Sequence, residues 1–201
     1  LLGLTIDYGP FQFLDGFDPH HVCNHSDTRG RYAWSRQPNI AYWNLYCLGQ
    51  ALLPLIGEQD LAVQVLEGYK SAFPRALGDA MRTKLGLTGE LASDALREAD
   101  WTLVEDLLQL LAAERTDYTI FWRRLSTAMH TGEWSTVTAL FLDASRWQHW
   151  LQRYRERTAS IEPTVLGQAM LRVNPKFVLR NHLAENAIRQ AEAGDFADIE
   201  R

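Results

Sequence analysis

The stretch LLGLTIDYGPFQFL, Leu1–Leu14, decides how the rest of the chain is read. It opens as an apolar, strand-like run through Leu1, Leu2, Leu4 and Ile6, then meets one carboxylate, Asp7. Tyr8-Gly9-Pro10 turns the chain directly afterwards, because glycine frees φ and proline removes a backbone donor. A lone acid at the end of a rigid run, exposed by a turn, suits a ligand to a divalent metal. The same pattern fits an ordinary strand end whose aspartate opens an Asx-turn. Spacing alone leaves both readings open.

Outward from this stretch, residues 11–37 read as a loop rich in Gly, Asp, His, Ser and Arg, without a sustained period. Loops this long are uncommon unless they are functional or disordered. Phe11, Phe13, Phe17, Tyr32 and Trp34 are expected to pin it to the body of the protein. Pro38 then opens a helix whose stripe is Ile40, Trp43, Leu45, Leu48, Leu52 and Leu55, closed by Pro54 and Gly57. Trp43 and its neighbours are expected in the core.

From Glu58 onward the pattern is helix after helix. Asp60–Phe73 is predicted to stop at Pro74 and resume over Arg75–Leu85, with Gly86 as its cap and Thr88 capping the next segment. Asp100–Glu114 is strongly apolar. Asp117 caps Tyr118–His130, with Ile120, Phe121 and Leu125 inward and Gly132 as the stop. Helices are expected over Ser135–Leu142, Ser145–Arg157, Pro163–Val173 and Pro175–Ala193, the last capped by Asn174. The fold class is therefore mainly α, with a short strand and turn at the N-terminus.

The bulk properties set bounds. A chain of 201 residues with 46% hydrophobic residues can bury a core, and one domain is the default. Its net charge of -5 gives no basic footprint for nucleic acid. No apolar run reaches the length of a membrane span, and no signal peptide opens the chain. Two cysteines, Cys23 and Cys47, make no disulfide framework, so a reducing, cytoplasmic setting is the simplest expectation.

The segments LGLTIDYGPFQFLD (Leu2–Asp15) and NHSDTRGRYAWSRQP (Asn24–Pro38) resemble the SelO family of selenoprotein O-like proteins. So do DYTIFWRRL (Asp117–Leu125) and NPKFVLRNHLAENAIRQAEAGDF (Asn174–Phe196), in the same order. Family members have a protein-kinase-like fold and move AMP from ATP to protein hydroxyls. The resemblance implies a helical C-lobe here, residues 1–10 carrying the metal-binding Asp-Tyr-Gly segment. Residues 11–37 would be the activation-segment-like loop and residues 38–201 the helical body. Asp7 would hold Mg²⁺ or Mn²⁺ against the ATP phosphates. The helix after Pro38 would by position be the buried central helix of that lobe. The nucleotide-binding lobe and the general base are expected upstream of Leu1, so the chain reads as a C-terminal fragment that is inactive alone. A bacterial member is expected in the cytoplasm and a eukaryotic one in mitochondria. Phosphoryl transfer by a kinase would use Asp7 equally well.

Other residues carry chemical potential. His20, His21, Cys23, His25 and Asp27 crowd one loop, and the rival reading is a zinc-stapled interaction domain. Their spacing lacks a paired Cys-x-x-Cys, and the resemblance instead has Asn24–Asp27 ordering the loop by hydrogen bonds. Cys23 is a candidate redox handle, whereas Cys47 reads as a core thiol. Arg29 and Arg31 suit a phosphate, an acidic substrate segment or a loop-anchoring salt bridge. Lys176 and Arg180 read as surface patterning one turn apart on the last helix, and Asp15 and Asp18 as solvated turn residues.

Overall fold

Burial is concentrated in the second half of the chain, and the reason is the spacing of its aromatic and leucine residues. The computed structural model describes residues 13–87 and 93–200. Among these the fold is mainly α, with no strand and one isolated antiparallel bridge between Gly16 and Asp117. The helices are α1 (Gln37–Ile56), α2 (Gln59–Lys84), α3 (Asp94–Glu114), α4 (Tyr118–Thr131), α5 (Ser135–Thr138), α6 (Ala144–Thr158), α7 (Pro163–Val173) and α8 (Asn181–Glu192). The opening strand-like run, Asp7, Phe11 and Thr88 lie outside the described residues.

On α6, Trp147, Trp150, Leu151, Tyr154 and Thr158 recur at helical spacing, and all are buried. Their rings stack in a file that begins on Phe141: Phe141–Trp147 at 4.6 Å, Trp147–Trp150 at 5.4 Å and Trp150–Tyr154 at 5.1 Å. Each polar tip in this file finds a partner, as buried aromatics require. Trp150 Nε1 donates to the Leu103 carbonyl at 2.9 Å, and the Tyr154 hydroxyl donates to that of Leu85 at 2.8 Å. These bonds tie α6 to α3 and to the end of α2. Leu103, Val104, Leu107, Leu110 and Leu111 complete the facing side from α3.

Helices α4 and α7 cross closely. A Cβ on Gly167 would lie 2.3 Å from the His130 backbone nitrogen, so only glycine lets the two backbones approach this far. One carboxylate is wholly buried within the helical body. Asp100 accepts from Arg82 Nε at 2.9 Å and from Arg157 Nε at 2.6 Å, joining α2, α3 and α6. Two cations around one buried anion meet the requirement that buried charge be paired.

Several expectations need correction. Pro74 does not interrupt α2, which runs unbroken to Lys84. Pro74 is exposed, so the carbonyl it strips of a partner can be hydrated, while Leu77 and Met81 carry the helix onto the core. α1 is not buried: none of its residues is, and Trp43 is 49% exposed. Ile120 is also exposed, at 38%. The helix expected over Ser135–Leu142 stops at Thr138. The last helix begins at Asn181 rather than Pro175, and Asn174 ends α7 instead of capping α8.

Candidate functional site

The loop after the Asp7 segment is rooted on the first turn of α4. Phe17 N–H donates to the Thr116 carbonyl at 2.8 Å, and Tyr118 N–H donates to that of Asp15 at 2.8 Å. Gly16 sits between these bonds, where a Cβ would lie 2.8 Å from the Arg115 carbonyl oxygen. Phe17 is 1% exposed, stacked on Tyr118 and edge-on to Trp34. Phe17 and Trp34 therefore anchor the loop as expected, whereas Phe13 and Tyr32 are 42% and 43% exposed.

Arg180 closes this root from the far end of the chain. Its guanidinium grips Asp117 through two bonds, Nη1–Oδ2 at 2.7 Å and Nη2–Oδ1 at 3.1 Å, and also pairs with Asp15. Planar bidentate pairing is the strong geometry for arginine and carboxylate. Asp117, and Asp15 less strongly, hold Arg180 firmly in its charged form. Asp117 serves twice, since its Oδ1 also accepts from the Ile120 N–H at 2.8 Å and caps α4. Arg180 is thus not surface patterning, whereas Asp15 stays exposed in a bend while pairing with it. Lys176 lies in the non-helical stretch before α8, over the Phe177 ring at 4.9 Å.

Within the loop, order comes from short-range acceptors. Asp18 Oδ1 accepts from the His20 N–H, and its other oxygen lies 3.7 Å from Arg115 Nη2. Asn24 accepts from the Ser26 N–H, and Asp27 accepts from those of Arg31 and Tyr32. The Tyr32 N–H is the main reason the Asp27 carboxyl sits below its ordinary range. Asn24 and Asp27 thus fulfil the expected ordering role. His20, His21, Cys23, His25 and Asp27 do not converge. No group of three or more His, Cys, Asp or Glu that could hold a metal ion occurs among the described residues. Cys23 and Cys47 are both half-buried thiols. The Arg31 guanidinium lies over the Trp43 ring at 4.3 Å, so the loop's far end leans on α1.

A cavity of about 300 Å³ opens beside the root, lined by Phe13, Leu14, Trp34, Lys84, Tyr118 and Trp122 among others. Lys84 ends α2 there, and its Nζ donates to Asn174 Oδ1 at 2.8 Å. The ammonium also lies over the Trp122 ring at 4.7 Å. Burial pushes the Lys84 amine down to about 8. Asn174 is fully buried and donates in turn to the Lys84 carbonyl and to Ser126 Oγ, both at 2.9 Å. Arg123 adds bonds to the Leu171 and Asn174 carbonyls. This polar network stands directly behind the loop root. Lys84, Ser126, Asn174 and the second role of Asp117 escape sequence reasoning. The signal available was a polar residue set between apolar ones, as in Lys84-Leu85 and Val173-Asn174-Pro175.

The comparisons with known proteins bear on what this arrangement serves. A family model described as Protein adenylyltransferase SelO matches residues 1–201. The chain belongs to the SelO family. A relative from Albidiferax ferrireducens, named Protein nucleotidyltransferase YdiU, is 58% identical over 200 residues, covering 100% of this chain and 40% of its own length. A relative of the same name from Variovorax paradoxus is 57% identical over 199 residues, covering 99% of this chain and 39% of its own. One from Paraburkholderia xenovorans is 48% identical over 217 residues, covering 100% and 40%. The chain therefore spans about two fifths of the length of the curated SelO relatives it matches. No helix among the described residues is long and apolar enough to cross a membrane.

Proposed function

We propose that a SelO protein carrying this chain transfers AMP from ATP to Ser, Thr or Tyr hydroxyls of other proteins and releases pyrophosphate. The observation that carries this reading is the family match across residues 1–201, joined by relatives named protein nucleotidyltransferases. In this reading the chain is the helical C-lobe of a kinase-like fold. Residues 1–10 bring the metal-binding segment, residues 11–37 the activation-segment-like loop and residues 38–201 the body. The hydroxyl oxygen attacks the α-phosphorus, the bond from that phosphorus to the pyrophosphate oxygen breaks, and the hydroxyl proton passes to a base upstream of Leu1.

Asp7 is the proposed metal ligand, because a carboxylate oxygen is the donor that Mg²⁺ and Mn²⁺ take. When bound, the ion offsets negative charge on the ATP phosphates. What the described residues contribute is placement. The grip of Gly16, Phe17 and Asp15 on α4, locked by Arg180, anchors the loop that follows the Asp7 segment in sequence. Positioning of this kind accounts for much of the catalysis in phosphate transfer. Cys23 is the proposed redox handle in the loop. Activity that is indifferent to reductant and unchanged by Cys23→Ser would remove that role.

The test is transfer from ATP labelled at the α- or the γ-phosphate, with Mg²⁺ or Mn²⁺, by the family-length protein and its Asp7→Ala variant. The α label alone is expected to move, and Asp7→Ala to abolish its transfer. Movement of the γ label alone would make the protein a kinase. The 201-residue chain by itself is expected to transfer neither label.

A further inference from the structure

The half-buried cations of the molecule are not all matched with anions. Asp100 lies between Arg82 and Arg157, and Asp117 grips Arg180. Lys84 is half-buried too, yet among the described residues its ammonium meets no carboxylate. It donates to the neutral Asn174 Oδ1 and lies over the Trp122 ring. Burial acts on its amine with no negative charge to offset it. A second donor beside it is also unsatisfied. Trp122 is 1% exposed, and its Nε1–H makes no hydrogen bond, although a buried indole usually finds a partner. Burial raises the Tyr118 hydroxyl, and the Trp122 N–H partly opposes this, so the indole donor faces the phenol oxygen. The phenol proton is then left to serve another acceptor. An ammonium, an indole N–H and a phenol crowd together without an anion, and all three residues line the cavity of about 300 Å³ beside the loop root.

We propose that this cavity binds a small organic carboxylate with an apolar body, its oxygens held by the Lys84 ammonium and the Tyr118 hydroxyl with Trp122 behind them. Three observations select that class. The first is donor supply. Asn174 uses one of the three ammonium protons, and its own amide is tied to the Lys84 carbonyl and Ser126, so it holds Lys84 in place and leaves two protons for a ligand. The second is charge. Lys84 is the one cation among the described lining residues, which include no Asp or Glu, and Arg123 is turned to the Leu171 and Asn174 carbonyls. A single positive charge matches a monoanion, whereas a phosphate dianion would carry an unpaired charge out of water. The third is the remaining wall. Leu14, Trp34 and Val178 are apolar, and the volume is at the lower end of small-molecule sites, which run from about 300 Å³ upward. The site does not depend on the proposed AMP transfer, and its test reads binding alone, so the two fail separately.

Calorimetric titration of the family-length protein with phenylacetate at pH 8 tests the site. Phenylacetate is expected to bind, and phenylethanol, which has the same ring and no charge, to bind at least about tenfold more weakly. The Lys84 amine, at about 8, is half-protonated there, and an anion beside it completes the protonation. Binding should therefore take up about half a proton, read from the heats in two buffers of different ionisation enthalpy. Lys84→Met should abolish that uptake and weaken phenylacetate about tenfold or more, and Tyr118→Phe should weaken it to a smaller extent. No binding of phenylacetate at millimolar concentration would overturn the proposal. So would equal binding of phenylethanol, binding without proton uptake, or displacement of phenylacetate by inorganic phosphate. The alcohol comparison and the proton uptake are measured on the unaltered protein, so they decide the matter even if a variant fails to fold.

Discussion

The α3–α4–α6–α7 body and the α1–α2 hairpin both carry apolar helix faces, yet they hold together by different means. In the body, Phe121, Trp122, Leu125, Trp147, Trp150 and Tyr154 are within 2% of full burial, and the polar atoms among them are largely bonded. In the hairpin, α1 leans on α2 through two tyrosines and a glycine, and Tyr69 donates to the Pro38 carbonyl at 3.0 Å. The difference teaches that hydrophobic content alone does not bury a helix: among the described residues the body buries its apolar faces, and α1 buries none of its residues.

Substitutions can break this contrast, and the largest effects belong in the body. Trp147→Ala is expected to cost about 3–5 kcal/mol in urea unfolding, because it removes the centre of the ring file and leaves a cavity. Trp43→Ala in the same chain is expected to cost only about 1 kcal/mol, since the ring is half-exposed and loses mainly its contact with Arg31. Equal costs for the two tryptophans would erase the distinction. Asp100→Ala should come close to Trp147→Ala, at about 3 kcal/mol or more, since it leaves Arg82 and Arg157 facing each other without their anion.

The loop root lies between these extremes. Arg180→Met removes a bidentate grip on Asp117 and the link to Asp15, and is expected to cost about 1.5–3 kcal/mol. Its diagnostic effect is faster amide exchange at Phe17 and Tyr118, with the Trp150–Tyr154 region unchanged. A uniform acceleration across the body would show that Arg180 is only a general staple. A further test is a pH dependence set by Lys84. Its folded-state value of about 8 lies below the ordinary 10.5, so the unfolded chain binds more protons between them. Stability should therefore rise with pH from about 8 towards 10, and Lys84→Met should flatten that rise. Above pH 10 burial raises the Tyr118 and Tyr154 hydroxyls, and stability falls again.

Much of the body was legible in the sequence because its limits are set by local chemistry. Asp117 caps α4, Gly132 ends it, and Pro163 and Val173 bound α7, as the residues themselves dictate. What was not legible depends on long-range partners. Asn174 looks like a helix cap, but its amide is drawn instead into Lys84 and Ser126, and the chain from Pro175 to Arg180 stays non-helical, with Arg180 bonded to Asp117. Pro74 looks like a stop, yet packing of Leu77 and Met81 carries α2 past it. Of the candidate site, the anchoring by Phe17 and Trp34 and the acceptors Asn24 and Asp27 were readable; Arg180 was not. Within the stretch that resembles the family from Asn174 onward, Arg180 brackets the loop by its bonds to Asp15 and Asp117. Asp7 itself lies outside the described residues.

The division between a closely packed body and an exposed hairpin is tested most directly by hydrogen exchange of the 201-residue chain. Amides of α4 and α6 should exchange only through global unfolding, while those of α1 exchange orders of magnitude faster through local opening. Protection of α1 equal to that of α4 in the 201-residue chain would contradict this division of the molecule.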